Sequence, residues 1–116
     1  MRRATVAVLF TLSSANALPA VVVAESATIT ALTSYSEQGN FDGDIFITLA
    51  STPAGCPGGY WLRHADTPGY RNTVAFLVSA FHANAPVRLA GYNDPPNVWA
   101  GNGAVTCRVD QVGLTR

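Results

Sequence analysis

Apolar and polar residues alternate along five segments of this chain and recur at helical spacing in one. The alternating segments contain many β-branched residues and predict strands at residues 27–35, 44–50, 60–63, 87–92 and 104–114. Between the third and fourth strands, the apolar positions fall on one helical stripe, formed by Tyr70, Val74, Leu77, Val78, Phe81 and Ala85. Thr67 followed by Pro68 predicts the start of this helix, and Pro86 predicts its end.

The predicted element order is therefore β-β-β-α-β-β, which indicates a mainly β domain with one helix. Three strands, a helix and two further strands are the element order of the OB-fold, a five-stranded Greek-key β-barrel. No repeat, low-complexity tract or linker is visible in the sequence after residue 25. We therefore expect residues 25–116 to form a single OB-fold-like domain.

The N-terminal residues have the pattern of a secretory signal peptide. Two arginines at positions 2 and 3 precede an apolar stretch at residues 4–12. Val22 and Ala24 then provide small side chains before a cleavage bond, so we expect a signal peptide at residues 1–24; residues 15–17, Ala-Asn-Ala, form a second acceptable cleavage signal. Because the apolar stretch is too short and too interrupted to span a membrane, the mature protein is expected to be secreted or periplasmic, without a membrane span.

Two cysteines, Cys56 and Cys107, are present in the whole chain. An exported protein meets an oxidising compartment, so we expect a disulfide between them. Closing a loop of roughly 50 residues stabilises a domain by about 4 kcal/mol in the chain-entropy model. A redox or metal role is disfavoured, because the sequence has no CxxC pair and no histidine cluster near either cysteine.

The charge of the chain argues against nucleic acid as a partner. Without its signal peptide the chain has five arginines, seven acidic residues and no lysine, which gives a net charge of −2. The arginines are scattered along the predicted elements, whereas a protein that binds phosphate backbones needs clustered cations.

The connection between the last two predicted strands, residues 91–103, is the candidate ligand loop, because OB-folds often bind ligands there. Flat aromatic faces that stack on a sugar ring, with polar groups that bind its hydroxyls, are what a carbohydrate site requires. The candidate binding residues are Tyr92, Asn93, Asp94, Asn97 and Trp99. In the alternative interpretation Trp99 covers the mouth of the barrel and the polar residues of the loop only form turns.

Phe76 is a candidate interface residue. On the predicted helix it lies opposite the apolar stripe, where a monomer normally places a polar side chain. We consider a subunit interface on this outer face, and as the alternative a singly exposed aromatic side chain, which is common on soluble proteins.

The sequence gives no support for catalysis. His64, Asp66, Ser79 and His82 could be assembled into a Ser-His-Asp arrangement, but no nucleophile-elbow sequence, HExxH motif or pair of carboxylates in an apolar setting accompanies them. We therefore expect a non-enzymatic protein that requires no cofactor and no metal.

Four segments carry a resemblance to a known family: CPGGYWL at residues 56–62, the helix end SAFHAN at 79–84, PVRL at 86–89 and CRVD at 107–110. The chain resembles small exported OB-fold proteins of the bacterial toxin B-subunit type, and subtilase cytotoxin B subunits are the nearest kind. This resemblance implies a pentameric ring that binds sialylated or other cell-surface glycans.

The sequence therefore predicts an exported, non-enzymatic binding protein that takes a cell-surface glycan and forms a homo-oligomer. The alternative is a small structural or envelope-associated periplasmic protein without a glycan pocket.

Overall fold

The computed structural model of the chain describes residues 4–8, 20–36, 39–99 and 103–116. Much of the predicted signal peptide, including the alternative cleavage signal at residues 15–17, lies outside the described residues. The protein is mainly β with one α-helix, which confirms the class predicted from the sequence. No helix among the described residues has the length and apolar character needed to cross a membrane.

Six strands form one mixed sheet. In chain order they are β1 Val21–Ala27, β2 Ile29–Ser34, β3 Ile45–Leu49, β4 Tyr60–Leu62, β5 Val87–Tyr92 and β6 Cys107–Leu114. The spatial order is β1-β5-β6-β4-β3-β2, and neighbouring strands are antiparallel except for β4 and β6, which are parallel. Helix α1, Pro68–Ala83, lies between β4 and β5 in the chain, and short 3₁₀ turns occupy Gly39–Phe41 and Pro95–Asn97.

The observed order, β-β-β-β-α-β-β, corrects the predicted β-β-β-α-β-β. The additional strand is β1, whose valines pair with β5 but were assigned from the sequence to the signal peptide. A bulge with Ser26 at a φ of 51° disturbs the register of β1, and Thr28 alone separates β1 from β2. The pairing describes an open six-stranded sheet, with β1 and β2 at its ends, rather than the predicted five-stranded barrel.

The predicted start of the helix is confirmed at Thr67 and Pro68. The Thr67 hydroxyl accepts a hydrogen bond of 3.2 Å from the Tyr70 amide, and Pro68 is the first helical residue. The helix ends at Asn84, which has the left-handed conformation that closes many helices.

Only part of the predicted apolar stripe of α1 is buried. Leu77 is buried against the sheet, whereas Val78 and Phe81, which the sequence places on the same stripe, are exposed. The helix packs on β6 and β2 through a narrow face, so its flanking apolar side chains stay in solvent. Phe76 is 45% exposed, as its position opposite the stripe predicts.

The predicted disulfide is present. Cys56 and Cys107 are both fully buried, and their sulfurs are 2.03 Å apart, with 5.5 Å between the Cα atoms. Cys107 is the first residue of β6 and is the register partner of Tyr60 in the parallel β4–β6 pair. The disulfide therefore fastens the start of β6 to the loop that leads into β4.

The predicted signal-peptide cleavage bond, Ala24–Glu25, lies inside β1. Ala24 is 5% exposed and is the register partner of Leu89. On the other side of the bond, a Glu25 carboxylate oxygen lies 3.6 Å from Nε of Arg88. Cleavage at this bond would separate these two halves of the strand.

Candidate ligand-binding site

An open pocket of about 480 Å³ lies where two chain connections meet the end of β4. The β2–β3 connection and β4 with the residue after it form one part of the wall, and the β5–β6 connection forms the rest. The described lining residues are Asn40, Phe41, Asp44, Trp61, Arg63, Pro96, Val98 and Trp99. Aromatic rings, one carboxylate, one guanidinium and one amide thus share a single concave surface.

Trp99 is held inside an aromatic cluster. Its ring centroid is 5.0 Å from that of Tyr35, 5.2 Å from that of Phe41 and 5.6 Å from that of Phe46. Trp99 is only 4% exposed, so it does not offer the open stacking face that the sequence suggests. Its ring therefore packs against the end of β2, the β2–β3 connection and β3.

The two tryptophans of the pocket differ in how their indole N–H groups are satisfied. Nε1 of Trp61 donates a hydrogen bond of 2.9 Å to the Asn97 carbonyl oxygen. Nε1 of Trp99 is buried and has no acceptor among the described residues. A buried donor without an acceptor loses hydrogen-bond energy, so an acceptor that reached Trp99 would bind favourably.

Asp44 is a buried carboxylate in the pocket wall. It is 4% exposed, and its Oδ1 accepts a hydrogen bond of 2.9 Å from the His64 amide. The ion pairs within the described parts of the chain are Arg71–Asp66 and Arg88–Glu25, so Asp44 has no ion-pair partner there.

The segment that presents Asp44 is fixed by Tyr70 from the first turn of α1. The Tyr70 hydroxyl donates a hydrogen bond of 2.8 Å to the Gly43 carbonyl oxygen, and the His64 ring packs edge-on against the Tyr70 ring at 5.0 Å. Burial, with the nearby Asp44 charge adding to it, raises the pKa of Tyr70. Gly43 has a φ of 82°, and a side chain there would collide with the His64 ring.

The predicted binding residues do not form one surface. Trp99 lines the pocket, whereas the side chains of Asn97 and Asp94 bind each other. Nδ2 of Asn97 donates to both Asp94 carboxylate oxygens, at 2.8 and 3.0 Å. The Asn97 side-chain oxygen accepts a bond of 3.4 Å from Nη1 of Arg108. The functional groups of Asn97 and Asp94 are thus engaged within the protein.

Tyr92 and Asn93 lie at the end of β5 and are not among the described lining residues. A hydrogen bond to the Asp110 carboxylate is the main cause of the raised pKa of Tyr92. The backbone N–H of Asn93 donates a hydrogen bond of 3.1 Å to the Ala20 carbonyl oxygen, which extends the β1–β5 pairing. These two residues support the sheet in this structure.

No protein-family model, characterised protein or solved structure matches this chain. The pocket therefore has to be interpreted from its own residues. In the described ranges, no group of three or more His, Cys, Asp or Glu side chains is arranged to hold a metal ion.

Five pocket residues lie outside the predicted ligand loop and were missed by sequence reasoning: Asn40, Phe41, Asp44, Trp61 and Arg63. Phe41 lies between the first two predicted strands, and Asp44 was predicted as the first residue of the second strand. Trp61 follows Tyr60 on a strand, so one of the two was expected on the surface; both are buried, and Trp61 borders the pocket. The signal that could have found this site was Phe41, an aromatic residue in a turn-like sequence. Such a side chain requires a hydrophobic neighbour from elsewhere in the chain, which here is Trp99.

Proposed function

We propose that this protein is an exported, non-enzymatic binding protein that takes a glycan in the pocket between the β2–β3 and β5–β6 connections. The observation that carries this proposal is the composition of one cavity of about 480 Å³, whose wall combines aromatic rings with a buried carboxylate and a solvent-exposed guanidinium. Ligand pockets typically have volumes of about 300–1,000 Å³, a range that includes this cavity.

The strand connections support a finer description of the fold as an OB-fold-like barrel. The two end strands of the sheet, β1 and β2, are separated by one residue, Thr28, whose carbonyl oxygen accepts a bond of 2.9 Å from the Ala50 amide. If β1 and β2 are the halves of one bent strand, the order of strands becomes that of a closed five-stranded barrel. OB-folds bind ligands with the two connections that border this pocket.

Export is proposed from the N-terminal sequence and is compatible with the buried disulfide. Oligomerisation is proposed from the exposed apolar side chains of α1. Three large apolar side chains of this helix are exposed to solvent: Phe76, Val78 and Phe81. A partner subunit would cover at least one side of the helix.

A structural, envelope-associated role without a glycan pocket is the second candidate. The burial of Trp99 and the mutual hydrogen bonds of Asp94 and Asn97 favour it, because they give three of the predicted binding residues a structural task.

The experiment that separates the two is a glycan array, followed by titration of each hit against Arg63→Ala. Arg63 lines the pocket, is exposed and forms none of the described ion pairs, so its removal should leave the fold intact. Arg116→Ala, at an exposed position after β6, is the matched control. We expect saturable binding that weakens at least about tenfold, equivalent to 1.4 kcal/mol, in Arg63→Ala only.

Absence of saturable binding to every glycan would contradict the proposal and favour the structural role. Equal affinity of Arg63→Ala and Arg116→Ala for a glycan that does bind would place the site elsewhere on the protein.

A further inference from the structure

We infer that the pocket selects a neutral pyranoside over an acidic sugar, and that Asp44 is the residue that sets this preference. The inference rests on the proposed glycan function and specifies its ligand class. It departs from the resemblance to toxin B subunits, which implies sialylated glycans among the ligands.

Asp44 places an acceptor and a negative charge in the inner wall of the pocket. A carboxylate accepts hydrogen bonds and has no proton to donate when ionised, so it binds a hydroxyl and repels another carboxylate. The described bond to this side chain comes from the neutral His64 amide, which leaves the charge without a counterion. Because Asp44 is 96% buried, water and salt screen that charge poorly, and the repulsion of an acidic sugar is strong.

Arg63 does not cancel this effect. Its side chain is in the same wall but is exposed to solvent, and it is not within ion-pairing distance of Asp44. Attraction between exposed charges is weakened by water and by salt, so Arg63 cannot outweigh the buried carboxylate. Its N–H groups remain available to donate to a hydroxyl or ring oxygen at the rim of the pocket.

Trp99 provides a second reason to expect a hydroxyl-bearing ligand. Its buried Nε1 donor lacks an acceptor among the described residues, and Asp44 supplies an acceptor in the same pocket. A hydroxyl group both donates and accepts, so a sugar hydroxyl can donate to Asp44, and a hydroxyl that reached Nε1 would accept from Trp99. A uronide has a carboxylate in place of the C6 hydroxyl, so it lacks one of the groups that could donate to Asp44.

Aromatic surface completes the match to a pyranose. Phe41 is half-buried and contributes carbon surface to the wall, whereas Trp61 borders the cavity but is only 8% exposed. The C–H face of a sugar ring packs on such surfaces while its hydroxyls point toward polar groups. A small linear polyol has no comparable apolar face.

The test compares matched pairs of sugars that differ in one group. Calorimetric titrations of the full chain would use methyl β-glucopyranoside with methyl β-glucuronide, and methyl β-galactopyranoside with methyl β-galacturonide. We expect the neutral member of the better-bound pair to bind at least about tenfold more tightly. In Asp44→Asn, the ratio of the affinity for the neutral sugar to that for the acidic sugar should fall at least threefold. The reason is that Asn keeps an oxygen for the His64 amide but removes the charge.

Asp42→Asn is the matched control, since Asp42 lies in the same connection, is exposed and does not line the pocket. Its ratio should equal that of the unaltered protein. Equal or tighter binding of the acidic sugars, or an unchanged ratio in Asp44→Asn, would overturn the inference while the glycan function survives. Failure of all four sugars to bind, alongside a negative glycan array, would overturn both.

Discussion

The Tyr60 hydroxyl donates a hydrogen bond of 3.1 Å to the carbonyl oxygen of Val22. Tyr60 begins β4 and Val22 is in β1, and these strands are separated in the sheet by β5 and β6. Tyr60 is fully buried, so the bond crosses the interior of the curved sheet. This hydrogen bond links β1 to the hydrophobic core, to which Ala24 and Ala27 of β1 also belong.

We predict that a chain beginning at Glu25 is less stable than one beginning at Leu18. The shorter chain lacks four register pairs between β1 and β5, the Val22 acceptor of Tyr60 and the buried Ala24 side chain. Loss of this packing and hydrogen bonding should reduce the free energy of unfolding by about 3 kcal/mol or more. Urea unfolding of the two purified chains measures the difference.

The same loss favours signal-peptide cleavage after residue 17 over cleavage after Ala24. If the chain is exported as proposed, mass spectrometry of the mature protein should therefore find Leu18 at its N-terminus. A folded protein beginning at Glu25 with an equal urea midpoint would contradict both expectations.

Alkaline pH should destabilise the protein through Tyr60. Burial raises the pKa of Tyr60 from 10.0 to about 12, and a hydrogen bond from the Ala24 backbone offsets part of the rise. Between these values the unfolded chain has lost the phenol proton and the folded chain still holds it. The free energy of unfolding therefore falls as pH rises from 10 to 12, by up to about 3 kcal/mol.

Guanidinium unfolding at pH 8 and at pH 11 tests this in the unaltered protein and in Tyr60→Phe. At pH 8, the free energy of unfolding of the variant should be about 1 kcal/mol lower because the hydrogen bond is missing. Between pH 8 and pH 11, it should fall less than that of the unaltered protein. Some dependence remains, because the pKa values of Tyr70 and Tyr92 are raised too. An equally steep fall in the variant would show that Tyr60 is not the responsible group.

Gly91 should not tolerate alanine. A Cβ atom there would lie 2.7 Å from the Arg108 carbonyl oxygen and 2.9 Å from the Tyr60 ring. The backbone oxygen cannot move aside, so Gly91→Ala should reduce the free energy of unfolding by about 3 kcal/mol. Gly113→Ala is the control on the partner strand, because its nearest neighbours are 3.9 Å away, and it should change stability by less than about 0.5 kcal/mol. Similar thermal midpoints for the two variants would refute the prediction.

Phe76 should be needed for self-association if α1 forms the subunit interface. Phe76→Ser removes an exposed apolar group, so native mass spectrometry should show a shift from a ring to a monomer. Asn72→Ser is the control, since Asn72 is exposed and polar and lies one turn before Phe76 on the same side of the helix. A monomeric unaltered protein, or equal effects of the two substitutions, would contradict this role of Phe76.

Local signals in the sequence predicted the helix and the disulfide. The Thr67 cap and Pro68 act within one helical turn, and the sequence contains only one pair of cysteines. Strand β1 was missed because apolar residues before a cleavage signal look the same in a leader and in a strand. Only the distant partner, β5, distinguishes the two.

The candidate site was predicted less well, because it depends on contacts between distant segments. Trp99, a predicted binding residue, does line the pocket, but its burial results from Tyr35, Phe41 and Phe46, which are all more than fifty residues away in the sequence. Asp44 has no local motif that marks a binding group. Its importance appears only when its burial and its place in the pocket are known.

The parallel pairing of β4 with β6 has a consequence for folding kinetics. No hairpin can bring these strands together, and the chain must close a loop that contains the whole of α1 and β5. The Cys56–Cys107 bond spans 51 residues and closes this same loop. An oxidised chain therefore begins its search for the native topology with one of its long-range contacts already made, whereas a reduced chain must find that contact by diffusion. Oxidation of Cys56 and Cys107 before folding would thus act on the speed of folding as well as on the stability of the product.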